Sequence, residues 1–161
     1  MTRGKAPLPK NSHAAIDVED EPLSAAARAV DDGLHASNLA AAPLHEVASF
    51  ACYARDAAGA VIGGAVGRRW GGCCELQQLW VAPSHRRRGL GGRLVRAFEA
   101  AAIARGCDTA YLETFSFQAP SLYRSLGYRA AHELACFPHG FVKYLMVRRL
   151  AGAAAPAPDE A

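Results

Sequence analysis

The stretch Leu79-Trp80-Val81-Ala82-Pro83-Ser84-His85-Arg86-Arg87-Arg88-Gly89-Leu90-Gly91-Gly92-Arg93-Leu94 constrains this chain more than any other. A strand ends at Pro83, a basic loop follows, and glycines open a long helix. The first turn of a helix carries backbone N–H groups with no intrahelical partner and the positive end of the helix dipole. Glycines let an anion approach that backbone, and arginines beside it add charge. The segment is therefore an anion site, suited to a pyrophosphate. It is not a P-loop, because no Gly-Lys-Ser/Thr follows. It is not a dinucleotide fingerprint either, because Gly89 and Gly91 fit that spacing but position 94 is leucine. The bland alternative is a solvated arginine run ahead of an ordinary helix, and the context on both sides weighs against it.

That context is a mixed α/β pattern. His13–Val18 is expected as a short first strand. Ser24 is a plausible N-cap for a helix over Ala25–Asn38, in which Ala29, Val30 and Leu34 share one side. A connector runs around Pro43 over Ala40–Glu46. Ser49–Arg55 and Ala60–Arg69 read as a hairpin across Asp56–Gly59, and Gly63, Gly64 and Gly67 mark a bulge or a close backbone approach. Cys73–Val81 is the next strand. Gly89–Arg105 is the strongest helix, with Leu90, Leu94, Val95, Phe98, Ala102 and Ile103 near one stripe and Gly106 as its stop. Thr109–Phe115 is a strand and Ser121–Leu126 a short helix after Pro120. Tyr128–Cys136 and Phe141–Leu150 finish as strands. Strands and helices in this order predict an α/β sheet.

Size and charge bound what such a sheet can do. The 161 residues suggest one domain, read as 13–150, with Met1–Ser12 and Ala151–Ala161 expected to be disordered because they have nothing to bury. No apolar run reaches the roughly 18 residues of a membrane span. The first residues are polar and lack the apolar stretch of a secretory signal. Five cysteines, an odd count, point to reduced thiols in a cytoplasm. The net charge of +3 is mild, and aromatics, at 8%, are not interleaved with the arginines, which argues against a nucleic-acid binder. The six histidines show no metal-ligand spacing, and Cys73-Cys74 cannot form a Cys-x-x-Cys clamp.

Arg86-x-x-Gly89-x-Gly91, preceded by Leu-Trp-Val-Ala-Pro and followed by the long helix, resembles the coenzyme-A signature of the GNAT acetyltransferases. The likeness extends to Leu112-Glu113-Thr114-Phe115-Ser116-Phe117-Gln118-Ala119-Pro120 and to Leu122-Tyr123-Arg124-Ser125-Leu126-Gly127-Tyr128, which are similar to a bacterial branch with Phe-Gln-Ala and Tyr-x-x-Leu-Gly-Tyr elements. It is strong over Leu79–Tyr128 and weaker elsewhere in His13–Leu150. Phe137-Pro138-His139-Gly140 differs in order from the Pro-x-Gly-His element of relatives, so an acceptor role does not carry over to it.

The resemblance implies the GNAT fold: a mixed, mostly antiparallel sheet flanked by helices, with central parallel strands that splay apart. It implies acetyl-CoA as co-substrate, held by Leu79, Trp80, Val81, Arg86, Arg87, Arg88, Gly89, Leu90, Gly91 and Gly92. Gln118 would touch the pantetheine or cap the short helix. It also implies direct attack of an amine on the thioester, which needs a base, an oxyanion donor and an acid. Tyr123 takes the acid position, since a phenol stays protonated at neutral pH. Glu75, fourteen residues before Gly89, is the leading base and Glu113 its rival. A solvent-facing strand residue is the alternative for Glu75. The oxyanion donor would be a backbone N–H near Leu79–Val81. The acceptor is a small-molecule or peptide amine of open identity. A non-catalytic acyl-CoA-binding module on the same fold would need none of Tyr123, Glu75 and Glu113. Homodimers are a habit of the family that no sequence feature decides.

Overall fold

The computed structural model describes Ile16, Val18, Asp20 and residues 24–150, which fall in two compact units, Met1–Pro43 and Leu44–Ala161. Most of the strand expected over His13–Val18 lies outside the described residues. Ile16 and Val18, which lie within them, are exposed and in no strand. In the first unit, helix α1 spans Ala25–Ala41. Its alanines favour helix, and the Ser24 hydroxyl accepts the Ala27 N–H at 3.2 Å as the expected cap. The helix runs past Asn38 and stops ahead of Pro43. None of its residues is fully buried, and Val30 and Leu34 are exposed.

The second unit is a six-stranded sheet in the order β1-β2-β3-β4-β6-β5. Strands β1 (Ala48–Arg55) and β2 (Val61–Trp70) form the expected hairpin. The Asp56 carboxylate shapes its turn by accepting the N–H groups of Ala58 and Ala60, each at 2.9 Å. Strand β3 (Cys73–Val81) returns antiparallel to β2. Strand β4 (Thr109–Phe115) is parallel to β3, so a crossover must join them, and helix α2 (Leu90–Ile103) supplies it. Helix α3 (Pro120–Ser125), strand β5 (Arg129–Leu134) and strand β6 (Lys143–Arg149) complete the order. All pairs but β3–β4 are antiparallel, as the fold reading requires.

The last two strands do not sit in chain order: β6 lies between β4 and β5, which puts β5 on the edge. Both are shorter than the sequence pattern suggests. Every residue of β5 is exposed, and its register with β6 shifts between Ala130 and His132.

The apolar stripe of α2 covers one face of the sheet. Leu94, Val95, Phe98 and Ala102 are buried together with Ala65, Cys74, Leu76, Ala110, Leu112 and Met146. Phe98 stacks on Phe50 of β1, ring centroids 4.3 Å apart. Burying one such side chain contributes about 1.5–3 kcal/mol. Within this apolar layer, buried Glu99 of α2 receives Arg148 of β6, whose Nη1 lies 2.8 and 2.6 Å from its two carboxylate oxygens. Removing one partner of such a pair would cost about 3–5 kcal/mol, because the other charge stays buried. Burial pushes the neighbouring Tyr128 phenol well above the usual tyrosine range, and the Glu99 charge adds to it.

Gly67 of β2 marks the tightest approach in the sheet. A Cβ there would stand 2.0 Å from the Glu75 carbonyl oxygen and 2.7 Å from the Phe98 ring. The β2–β3 register shifts at this residue: Val66 faces Gln78 but Gly67 faces Leu76, leaving Gln77 as the extra residue of a bulge. Gly67→Ala is expected to destabilise the fold by roughly 1–3 kcal/mol or more, as overpacking against rigid backbone does, read as a lower urea midpoint.

Candidate active site

Strands β3 and β4 pair only at Cys73–Thr109, Cys74–Ala110 and Glu75–Tyr111. Both continue, to Val81 and Phe115, without further pairing to each other. The bulge at Gln77 turns β3 away at the point where the pairing ends. In the outer part of β3, Ala82 donates its N–H to Ile62 at 2.9 Å, on the β2 side. Alternation then sets the N–H and C=O of Val81 and Leu79 on the opposite edge, toward the gap. The Val81 carbonyl is held there by Arg86 Nε at 2.9 Å.

The gap opens into a cavity of about 460 Å³ whose wall includes Leu79, Trp80, Val81, Glu113, Gln118 and Tyr123. Tyr123, on α3, is 7% exposed, and burial raises its phenol above the usual tyrosine range. The Tyr128 ring packs edge-on against it at 5.9 Å. Pro120 opens the short α3 at a position where a missing N–H costs nothing. Gln118 does not cap α3: its side-chain oxygen accepts the Phe115 N–H at 2.8 Å and the Thr114 hydroxyl at 3.2 Å. It thereby fixes the turn that leaves β4.

A second cavity, of about 570 Å³, lies over the start of α2 and is lined by Arg86, Arg87, Gly89, Leu90, Gly91 and Gly92 among others. Gly89 is the N-cap, with φ 76°, a left-handed conformation that glycine adopts without strain. Val81, Arg86, Gly91, Ala119 and Leu122 line both cavities, so the two lie side by side. A Cβ at Gly91 would meet the Leu122 side chain at 3.4 Å, an ordinary contact. The cradle therefore has room for an anion over unpaired N–H groups beside two guanidinium groups, and these residues fit a pyrophosphate. Arg88 lines neither cavity.

The two carboxylates that the sequence singles out have different partners. Glu75 is tied to Arg68 Nε at 2.7 Å and accepts Gln77 Nε2 at 3.3 Å. The hydrogen bond and charge of Glu75 raise the pKa of Arg68. Glu113 pairs with Lys143 Nζ at 2.5 Å and its side chain is 55% exposed. Glu113 lines the Tyr123 cavity, whereas Glu75 does not. Both border an adjoining cavity of about 320 Å³, together with Phe115 and Lys143. Leu76, Gln77, Glu113 and Gln118 are common to this cavity and the Tyr123 cavity.

Sequence reasoning missed Lys143, Leu122 and Phe117 as parts of these walls, and Arg68 as the partner of Glu75. Lys143 reaches Glu113 because β6 pairs with β4, with Lys143 beside Phe115 in register, a long-range pairing with no local signal. Phe117 was legible as the first residue of the Phe-Gln-Ala element, with no role attached to it. Among the described residues, no group of three or more His, Cys, Asp or Glu could hold a metal, and no helix is long and apolar enough to cross a membrane.

The sequence matches the model of the acetyltransferase (GNAT) family over residues 16–128, more than half of the chain. It is 37% identical to a blasticidin-S acetyltransferase of Streptomyces morookaense over 113 residues, covering 70% of this chain and 81% of that protein. Among solved structures, an acetyltransferase of Bacillus cereus ATCC 14579 aligns with a TM-score of 0.70 at 24% identity, over 84% of this chain and 98% of that one. An aminoglycoside 6'-N-acetyltransferase solved with coenzyme A aligns with a TM-score of 0.58 at 22% identity, over 69% of this chain and 76% of that one. At those identities the two structures speak for the fold, and the family match and the sequence relative speak for the chemistry. The splayed strands, the glycine-opened helix and these likenesses agree: the chain belongs to the GNAT family and is an N-acetyltransferase.

Proposed function

We propose that this chain binds acetyl-CoA across the two adjacent cavities and passes the acetyl group directly to a primary amine. What carries the reading is that the cradle at Gly89–Gly92 and the cavity lined by Tyr123 share the wall formed by Val81, Arg86, Gly91, Ala119 and Leu122. Arg86, Arg87 and the N–H groups of Leu90, Gly91 and Gly92 would hold the pyrophosphate. Leu79, Trp80 and Val81 offer the pantetheine an unpaired strand edge. Arg88 is the weakest member of the set, since it lines neither cavity. Gln118, its oxygen occupied by Phe115 and Thr114, would act by shaping the wall.

Acetyl-CoA supplies a thioester carbon, to which the amine nitrogen bonds as the carbon–sulfur bond breaks. The chain's own residues do the rest. The N–H groups of Leu79 and Val81, aimed into the gap, are the donors for the developing oxyanion. Tyr123, kept protonated by burial, gives its proton to the departing sulfur. Glu113 takes the ammonium proton, directly or through water. What supports it over Glu75 is that it lines the Tyr123 cavity, which Glu75 does not. The exposed thiols of Cys73 and Cys136 fit a reducing compartment, so we place the enzyme in the cytoplasm.

Tyr123→Phe is expected to lower kcat about a hundredfold while acetyl-CoA still binds by calorimetry. A fully active variant would remove the acid role. Gly91→Glu fits the fold but sets a carboxylate against the pyrophosphate, and is expected to weaken acetyl-CoA binding about a hundredfold or more. Unchanged affinity there would rule out the cradle. For the base, Glu113→Gln should lower kcat/KM about a hundredfold, with Glu75→Gln the milder change. The reverse order would assign the role to Glu75.

A further inference from the structure

Four phenylalanines form a cluster that reaches the candidate site: Phe117 lines the Tyr123 cavity and Phe115 the adjoining one. Phe115 and Phe117 stack with centroids 5.2 Å apart and planes 15° from parallel. Phe137 meets Phe115 edge-on at 5.0 Å, and Phe141 meets Phe117 edge-on at 4.8 Å. The cluster joins two loops, one after β4 and one before β6. Backbone bonds pin them together: Ser116 donates its N–H to the Val142 carbonyl at 2.8 Å, and the Ser116 hydroxyl accepts the Val142 N–H at 3.1 Å. His139, between Phe137 and Phe141, is held at φ 60°, a left-handed conformation costly for histidine. The loops are thus fixed in a shape that presents these rings.

Phe117 nevertheless remains 59% exposed while forming part of the Tyr123 cavity wall. An apolar ring left in water at a cavity mouth, in a preassembled aromatic cluster, is the arrangement that a flat ligand completes. A cationic group would suit a phenylalanine face in isolation. Here, however, Lys143 Nζ already lies 5.9 Å from the Phe115 ring, and its charge is matched by Glu113. A second cation would compete with Lys143 for the aromatic face, and a neutral planar ring would not. Glu113, in the same cavity wall as Phe117, is the carboxylate an ammonium would meet, in exchange with Lys143.

We infer that the acceptor is an amine carrying a planar aromatic or heteroaromatic ring, which stacks on Phe117 while the amine reaches past Glu113 toward the thioester. This rests on the acetyl-transfer reading above and names the substrate class for it.

The test compares 2-phenylethylamine with 2-cyclohexylethylamine, which shares its chain but has a puckered, more apolar ring. Turnover is followed by released CoA thiol, and binding to the protein–CoA complex by calorimetry. A stacking site should favour the phenyl compound about tenfold in kcat/KM and affinity. Phe117→Leu, apolar but not planar and at an exposed position, should erase that ratio. Equal or better use of the cyclohexyl amine, or a ratio that survives Phe117→Leu, would overturn the inference and leave acetyl transfer standing. So would acetyl-CoA binding accompanied by no binding or acetylation of either amine. Loss of acetyl-CoA binding itself would instead refute the underlying reading, and this inference with it.

Discussion

At Gly67 the backbone of β2 approaches the Glu75 carbonyl so closely that a methyl group would stand 2.0 Å from the oxygen. Only glycine allows two strands to come this near, and the approach coincides with the shift that makes Gln77 the extra residue of β3. The bulge bends β3 just where its pairing with β4 stops at Glu75 and Tyr111. Without the bend, two parallel strands of this length would continue to pair and the cleft would close. The N–H groups of Leu79 and Val81 would then be spent on β4. The candidate site is in this sense a defect in the sheet, held open by one close contact and by the Phe98 ring packed beneath it.

The charge along the cleft is divided. At one end, Arg86 and Arg87 border the glycine turn. At the other, Glu75 and Glu113 border the adjoining cavity, each restrained by a cation of its own, Arg68 or Lys143. The buried, uncharged phenol of Tyr123 lies between them. Such a gradient orients a substrate pair with phosphate groups on one partner and an ammonium on the other. Arg86 is anchored on the Val81 carbonyl and Gln118 on the end of β4.

Much of this was legible in the residues. The bounds of β3 and β4 follow from turn signals at Gly71-Gly72, Pro83 and Gly106, and the structure has both strands over the expected residues. The glycines of β2 announced the irregularity, and the arginine–glycine run announced the anion turn. What local pattern could not carry is partnership. Nothing near Glu113 says that Lys143 stands beside it, because β6 reaches β4 only by passing β5. The difference between Glu75 and Glu113 likewise depends on which strand edge faces which cavity. The phenylalanine cluster draws on two loops separated by α3 and β5, so no window of sequence contains it. Gln118 bonds backward to β4 rather than capping α3, a choice that propensity does not determine.

Strand β5 has a consequence of a different kind. It lies at the sheet edge with every residue exposed, so one row of its backbone N–H and C=O groups is open to any extended chain that collides with it. The register shift at Ala130–His132 breaks the regular spacing a new strand would have to match, and Arg129, His132 and Glu133 interrupt the apolar surface on which sheets stack. A straighter, more apolar β5 would offer the same hydrogen bonds to neighbouring molecules in a spacing they could match, so the kink guards the edge against pairing between copies.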